Sequence, residues 1–162
     1  MTSRLATTVV ISRLIGLRGR AIVTAKGHHL VVDSPLSLGG PNEEVNPVDL
    51  LLSALATSNT FVCERAAQEI GIPIQKLSVI VMGDLDPRGT YGEPVDPRIQ
   101  AVRVRVLLAG PTAEQAEMLC RAIRARCPVY ATLSRAVEIE IETVLEQTAD
   151  AASDGNKSEI TQ

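Results

Sequence analysis

The sequence predicts a mixed helix-and-strand fold in a single domain, and three stretches of the chain carry that prediction. Residues 46–72 have apolar side chains at intervals of three and four, which is typical of one face of a helix. Residues 18–33 have the β-branched content and the central turn of a hairpin. Residues 99–108 alternate apolar and polar side chains, as a strand does. At 162 residues the chain can form one domain with one core.

The predicted helix over residues 46–72 has a start signal and a stop signal. Asn46 can cap its first turn with the side-chain oxygen, and Pro47 suits the first helical position because its missing N–H is not needed there. Asp49 complements the helix dipole, and Gly71 suits a left-handed C-terminal residue. We expect this helix to be largely buried and the rest of the chain to wrap around it. The predicted apolar face comprises Leu51, Leu52, Leu55, Val62, Ala66 and Ile70.

The segments on either side of this helix favour strands and loops. Residues 9–15 have β-branched content interrupted by polar side chains, and residues 18–24 and 29–33 form the predicted hairpin. Residues 34–45 are dense in Pro, Gly, Ser and Asn, which predicts a loop. Residues 76–84 carry apolar side chains on both faces, so we expect this strand to be covered on both sides.

The second half of the chain predicts a hairpin followed by a second helix. A turn-rich connection over residues 84–97 leads to the alternating strand. Pro111 or Thr112 opens a helix that Pro128 breaks, which leaves Cys127 at a helix end. A short helix or turn follows, through Leu133.

The C-terminal part predicts one more strand and then a tail. Residues 137–141 alternate apolar side chains with glutamates, which can face Arg103 and Arg105 across a strand pair. The remainder is polar and without periodicity. We therefore expect one domain over residues 1–145 and a disordered tail over residues 146–162.

Composition narrows the classes of function. One Phe, two Tyr, no Trp and a net charge of −3 argue against a nucleic-acid-binding surface. No apolar stretch is long enough to cross a bilayer, and no signal peptide is apparent. Three cysteines do not form a disulfide framework, so we expect a cytoplasmic protein. The adjacent pair His28 and His29 cannot readily chelate one metal, and no metal or cofactor is predicted.

Five motifs, in order and at matching spacing, resemble those of the OsmC/Ohr family of osmotically induced and organic-hydroperoxide-resistance proteins. The resemblance covers about residues 16–144. The motifs are Ser34-Pro35 with Leu38-Gly39-Gly40, Asn46-Pro47 with Leu50-Leu51 and Ala54-Leu55-Ala56, Gly71-Ile72, Gly83-Asp84-Leu85-Asp86 with Arg88-Gly89, and Arg126-Cys127-Pro128-Val129 with Thr132-Leu133.

This resemblance implies an α+β fold in which bent antiparallel sheets surround a long central helix. It also implies an intertwined homodimer with the reactive centre at the interface. The implied chemistry is thiol peroxidation: a thiolate attacks the peroxide and becomes a sulfenic acid, a second cysteine forms a disulfide with it, and a dithiol reductant reopens that disulfide. An arginine and a glutamate beside the attacking cysteine assist it.

At several positions this sequence departs from the implied pattern. Counted from Asn46, the attacking cysteine falls on Ser58 and the glutamate falls on Val48, next to Asp49. The early arginine is either Arg18 or Arg20, with Arg18 our choice. The resolving cysteine matches Cys127. A serine hydroxyl is far less acidic than a thiol and has no sulfenate-like state.

Two other cysteine roles and three functions remain open. Cys63 lies five residues beyond Ser58, about 140° around the helix. Cys127 could act alone near Arg124 and Arg126, although a helix C-terminus is the wrong end to stabilise a thiolate. The chain is expected to reduce a small-molecule hydroperoxide with Cys127 and Cys63 as redox residues. The alternatives are a non-catalytic relative that binds a small apolar ligand and a structural dimer.

Overall fold

A computed structural model describes residues 5–135 of the chain together with residues 139 and 141. It shows a mixed α+β architecture with two antiparallel sheets. No helix among the described residues is both long and apolar enough to span a membrane. The strands and helices are, in chain order, β1 (Val10–Leu14), β2 (Arg20–Ala25), β3 (His28–Asp33), α1 (Pro47–Ile70), β4 (Lys76–Leu85), β5 (Ile99–Ala109), α2 (Ala113–Arg126) and α3 (Pro128–Leu133).

The first sheet is the predicted hairpin with one further strand on its edge, in the order β1-β2-β3. Lys26 and Gly27 form the hairpin turn with φ angles of 50° and 82°. Two successive positive φ angles are what a two-residue type I′ turn requires, and this turn matches the twist of the strands. The turn fixes the register, so that Arg20 lies opposite Asp33 at the far end of the hairpin.

The second sheet pairs β4 with β5, which are long antiparallel strands joined by the predicted turn-rich segment. Val79 lies opposite Val106, and the register shifts between Asp84 and Leu85. Arg103 of β5 forms an ion pair with Asp84 of β4. The glutamates that we expected to face Arg103, together with most of the strand predicted over residues 137–141 and the predicted tail, lie outside the described residues.

The predicted bounds of α1 are confirmed, since both of its caps have the expected geometry. The Asn46 side chain accepts hydrogen bonds from the N–H groups of Val48 and Asp49 at 2.9 and 3.0 Å. The Asp49 carboxylate in turn accepts the N–H of Asn46, which completes a capping box. At the other end Gly71 has a φ of 70°, a left-handed conformation that glycine adopts at little cost.

The core lies where α1 packs against α2, α3 and β4. Small side chains of α1, such as Ala66 and Ala67, let the α2 helix approach closely. Apolar side chains of β4 and β5, including Leu77 and Val106, close this core from the sheet side. The fully buried cluster consists of Cys63, Ala66, Ala67, Ile72, Leu119, Ile123 and Cys127.

Two burial predictions are wrong for a single chain. The α1 helix is not largely buried, because Leu51 is 40 % exposed and Ile70 is 50 % exposed, although Leu55 and Ala66 of the same predicted face are buried. The β4 strand is not covered on both sides, because Ile80 is 45 % exposed. The reason is the same in both cases: among the described residues of one chain, no element packs over these surfaces.

The β1–β3 sheet is the least covered part of the described chain. It makes no extensive contact with the helices or with the second sheet. Every residue of β1 is exposed, including Val10 and Leu14, and Leu30 of β3 is 53 % exposed. Burial of apolar surface is the main favourable term in folding and association, so such a sheet has apolar area available for a further contact.

Candidate functional site

Ser58 of α1 and Cys127, between α2 and α3, lie next to each other. The Ser58 Oγ lies 3.1 Å from the Cys127 Sγ, and either group can donate the hydrogen bond. The two residues are 69 positions apart in sequence, so only the fold brings them together. The position that the resemblance assigns to an attacking sulfur therefore lies beside the position that it assigns to a resolving sulfur.

The break between α2 and α3 sets the position of Cys127. Its N–H donates to the Ile123 carbonyl and ends α2, and Pro128 then begins α3 without needing an N–H partner. The Cys127 sulfur accepts the backbone N–H of Tyr130 at 3.3 Å, as an N-cap side chain does. Cys127 therefore lies at the C-terminal end of α2, as predicted, and also caps the N-terminal end of α3 with its sulfur.

Access to this pair is from the serine side. Cys127 is 1 % exposed, whereas Ser58 is half-buried. A cleft of about 200 Å³ lies about one helical turn from each member of the pair, and neither Ser58 nor Cys127 lines it. It is formed by Leu55 of α1, by Tyr130, Leu133 and Ser134 around α3, and by Val102 and Val104 of β5. The cleft has no charged side chain in its lining, so it suits an apolar or neutral molecule.

Cys63 is in the same core cluster but lacks the features of a reactive thiol. It is fully buried at 0 % exposure. Burial raises the pKa of the Cys63 thiol, and the neighbouring Cys120 raises it further. Cys120 is half-buried, and Cys63, Cys120 and Cys127 are all free thiols. The structure does not bring Cys63 into a hydrogen bond with Ser58 or Cys127 in the described part of the chain.

The two early arginines have different surroundings. Arg20 donates two hydrogen bonds to the buried Asp33 carboxylate, at 2.7 and 2.8 Å, and one to Glu43. The Arg20 guanidinium holds the pKa of the Asp33 carboxyl well below its usual range, and the N–H groups of Glu43 and Glu44 also donate to that carboxyl. The hydrogen bonds of Arg20 to Asp33 and Glu43 thus connect the end of the hairpin to the loop that leads into α1.

Arg18 lies outside the strands, in the connection between β1 and β2. Its side chain is over Gly39, where an added Cβ would come within about 3.0 Å of the guanidinium carbon. Among the residues that the structure describes, neither Arg18 nor Arg20 makes a hydrogen bond or ion pair with Cys127. Arg18 keeps its charge free of ion pairs within residues 5–135, whereas Arg20 does not.

The start of α1 forms a second, larger cavity. It has a volume of about 460 Å³ and a mainly apolar lining that includes Leu38, Val48 and Leu52. Asp49 also lines it, but its carboxylate is engaged by the N-terminal cap of the helix. Asp49 is therefore not a free substitute for the glutamate that the resemblance places at position 48.

The arginines at the end of α2 do not activate Cys127 in the way that we considered. Arg126 forms an ion pair with Glu69 of α1, on the outer side of the helix pair. Arg65 also pairs with Glu69, and the two arginines lower the pKa of its carboxyl. Arg126, the cation nearest to Cys127 in sequence, is thus paired with the Glu69 carboxylate and not with the Cys127 sulfur.

Sequence reasoning missed one residue on the core face of α1. Asn59, next to Ser58 in sequence, is 1 % exposed, and its Oδ1 has no hydrogen-bond partner among the residues that the structure describes. Buried polar atoms are nearly always paired, so this one carries an energetic cost. The sequence does indicate the burial of Asn59, because Leu55, Asn59 and Cys63 follow at intervals of four residues on one helix face.

Within the described ranges, no group of three or more His, Cys, Asp or Glu side chains could hold a metal ion. The arrangement of Ser58 and Cys127 offers one sulfur nucleophile, one hydroxyl and one backbone N–H instead.

The sequence model of the family described as OsmC-like protein matches residues 40–142. The chain belongs to the OsmC-like protein family. This match spans the whole of α1, both strands of the second sheet, α2 and α3. No curated protein matches the chain.

Solved structures of OsmC-like proteins share this fold. An OsmC-like protein from Mycoplasma pneumoniae is 18 % identical with a TM-score of 0.68, and the match covers 80 % of this chain and 88 % of that one. The organic hydroperoxide resistance protein OsmC from Legionella pneumophila is 18 % identical with a TM-score of 0.60, covering 81 % and 91 %. An organic hydroperoxide resistance protein from Elizabethkingia anophelis is 18 % identical with a TM-score of 0.61, covering 83 % and 91 %. At this identity the likeness shows the fold alone.

Proposed function

We propose that this OsmC-like protein takes part in organic hydroperoxide detoxification by thiol chemistry, with Cys127 as the reacting sulfur. The observation that carries the proposal is the 3.1 Å hydrogen bond between Ser58 Oγ and Cys127 Sγ. In this pair, the cysteine that the resemblance assigns as resolving lies beside Ser58, the residue at the expected position of the attacking cysteine. Family membership and neighbours named for organic hydroperoxide resistance support the choice of substrate class.

The reaction needs only groups that lie at this site. The Cys127 thiolate attacks the distal oxygen of a hydroperoxide, the O–O bond breaks, and the alkoxide takes up a proton to leave as an alcohol. The sulfur is oxidised to a sulfenic acid and the peroxide is reduced. The Tyr130 N–H and the Ser58 hydroxyl can donate hydrogen bonds to the thiolate, which lowers the cost of its charge. Arg18, if brought in by a second chain, would add a positive charge.

We also propose that two chains interlock as a homodimer with the reactive centre at their interface. The uncovered β1–β3 sheet, the exposed Ile80 of β4 and the 66 % exposed Phe61 of α1 support this proposal. Burying this apolar surface against a second copy would stabilise both chains. Size-exclusion chromatography with light scattering is expected to give twice the 17.3 kDa mass of one chain. A monomer at micromolar concentration would contradict the dimer.

A peroxide-consumption assay tests the activity. The reduced protein is mixed with cumene hydroperoxide and dithiothreitol, and peroxide loss is followed for the wild type, Cys127→Ser, Cys63→Ser and Ser58→Cys. We expect Cys127→Ser to lose activity and Cys63→Ser to keep it. Ser58→Cys is expected to be faster than the wild type, because it restores the sulfur that the family pattern places there. Activity in Ser58→Cys alone would show that the natural chain is not a peroxidase.

The alternative function is binding of a small apolar ligand without catalysis. The cavity of about 460 Å³ at the start of α1 favours it, because its apolar lining has Val48 where the family pattern has a charged glutamate. Isothermal titration with a medium-chain alcohol tests this function, and Leu52→Trp, which would fill the cavity, should abolish the heat. Binding without peroxide consumption would favour this alternative over the enzyme.

We further propose a cytoplasmic location with an external thiol as redox partner and no nucleic-acid or membrane partner. Three free cysteines suit a reducing compartment. Cellular fractionation with an antibody against the chain tests the location, and recovery in a periplasmic or membrane fraction would contradict it.

A further inference from the structure

The Ser58–Cys127 pair has one sulfur where a two-cysteine centre needs two. A disulfide requires a second sulfur whose Cα lies within about 7 Å of the first. The neighbour that is in place for such a bond is Ser58, and an oxygen atom cannot supply it. Any second sulfur must therefore come from Cys63, from Cys120 or from outside the chain.

Cys63 shares a buried cluster with Cys127 but is poorly suited to resolve an oxidised Cys127. On α1 it lies about 7.5 Å further along the helix axis than Ser58 and about 140° around it. Its side chain is 0 % exposed and packed among Leu119, Ile123 and small residues of α1. Attack also requires a thiolate, and burial works against ionisation there. Cys120 lies seven residues before Cys127 on α2, about 10 Å along the helix axis, which is too far for a disulfide.

We infer that Cys127 is a single-cysteine centre whose oxidised form is reduced by an external thiol through a mixed disulfide, with no second protein cysteine taking part. This inference rests on the proposed hydroperoxide chemistry of Cys127. The site requires an external thiol, because the residue beside Cys127 is Ser58 and carries no sulfur.

The cycle balances with two equivalents of the external thiol. The first thiolate attacks the sulfenic acid sulfur, an S–S bond forms, and the hydroxyl leaves as water after taking up a proton. The second thiolate attacks the external sulfur of this mixed disulfide, and Cys127 leaves as a thiolate. The sum is one hydroperoxide and two thiols converted to one alcohol, one water and one external disulfide.

The burial of Cys127 limits the external thiol to a small molecule. Cys127 is 1 % exposed, whereas the neighbouring Ser58 is half-buried. We therefore expect a small thiol to approach the Cys127 sulfur from the Ser58 side.

Mass spectrometry of the intact full-length wild type, followed by peptide mapping of the same sample, tests the inference without any substitution. The reduced chain is treated with one equivalent of tert-butyl hydroperoxide and then with 2-mercaptoethanol, under denaturing, non-reducing analysis. We expect one oxygen on the Cys127 peptide before thiol addition and one 2-mercaptoethanol adduct on the same peptide after it.

Ser58→Cys is the positive control, since it is expected to lose the mass of two hydrogens and to form no adduct. The same loss in the wild type, or a disulfide-linked dimer, would overturn the inference while leaving peroxide reduction by Cys127 in place. If Cys127 takes up no oxygen at all, the proposed function fails together with the inference.

Discussion

Replacing Ser58 with cysteine should create a disulfide that measurably stabilises the fold. The Oγ-to-Sγ distance of 3.1 Å means that a sulfur at position 58 needs only a small shift to reach Cys127. The bond would close a loop over a sequence separation of 69. The loop-closure relation gives about 4 kcal/mol for a loop of that length, an upper limit that strain in the native state reduces. For a chain of this size the increase in melting temperature is about 8–16 °C.

The measurement compares oxidised and reduced Ser58→Cys by thermal unfolding at one fixed protein concentration. Fixing the concentration matters because association of chains also shifts the melting temperature. Thr57→Cys is the matched control: Thr57 is exposed, and its hydroxyl bonds to the Ser53 carbonyl of its own helix, so a cysteine there should not reach Cys127. If oxidised Ser58→Cys contains no disulfide within one chain, or Thr57→Cys gains as much stability, the proximity of the pair is refuted.

Three further predictions concern stability. Asn59→Leu removes a buried acceptor without a partner and should raise the free energy of unfolding by about 1–3 kcal/mol in urea titrations; a loss instead would show that Oδ1 is bonded. Asp33, whose carboxyl pKa is lowered by Arg20, contributes stability that is present above its unfolded pKa of about 3.9 and is lost as the pH falls through the lower folded pKa. Melting curves should therefore show that Asp33→Asn is less stable at neutral pH and less sensitive to acid than the wild type; parallel pH profiles would contradict this. Gly40→Ala would place a Cβ 2.1 Å from the Ser34 carbonyl oxygen and should cost about 1–3 kcal/mol or more in urea, whereas an unchanged midpoint would show that the loop yields.

The sequence predicted the elements whose causes are local. The bounds of α1 followed from Asn46, Pro47 and Gly71, because capping depends on residues within one turn. The hairpin turn at Lys26 and Gly27 was predicted for the same reason, since backbone conformation at two positions sets the register of both strands.

Features that depend on distant contacts were out of reach of pattern reasoning. Periodicity could not show that Ser58 meets Cys127, and only the family resemblance suggested their proximity. It also could not decide between the two arginines, because the bond of Arg20 to Asp33 depends on strand register. The apolar surfaces that we predicted to be buried are exposed in one chain. Apolar periodicity predicts that a face of a helix or strand is covered, but it does not show whether the same chain or a second chain covers it.

A single reacting sulfur, as proposed for Cys127, would also determine how the protein responds to excess oxidant. A disulfide shields both of its sulfurs, whereas an unpaired sulfenic acid can react with more peroxide to give sulfinic and sulfonic acids. The hydroxyl of Ser58 at 3.1 Å can hydrogen-bond the oxidised sulfur but cannot close such a shield. With excess tert-butyl hydroperoxide and no thiol, we therefore expect wild-type Cys127 to add a second and a third oxygen and to lose activity irreversibly. Ser58→Cys should stop at the disulfide and recover fully with dithiothreitol. A wild-type chain that stops at one oxygen under the same conditions would mean that something other than a second sulfur protects Cys127.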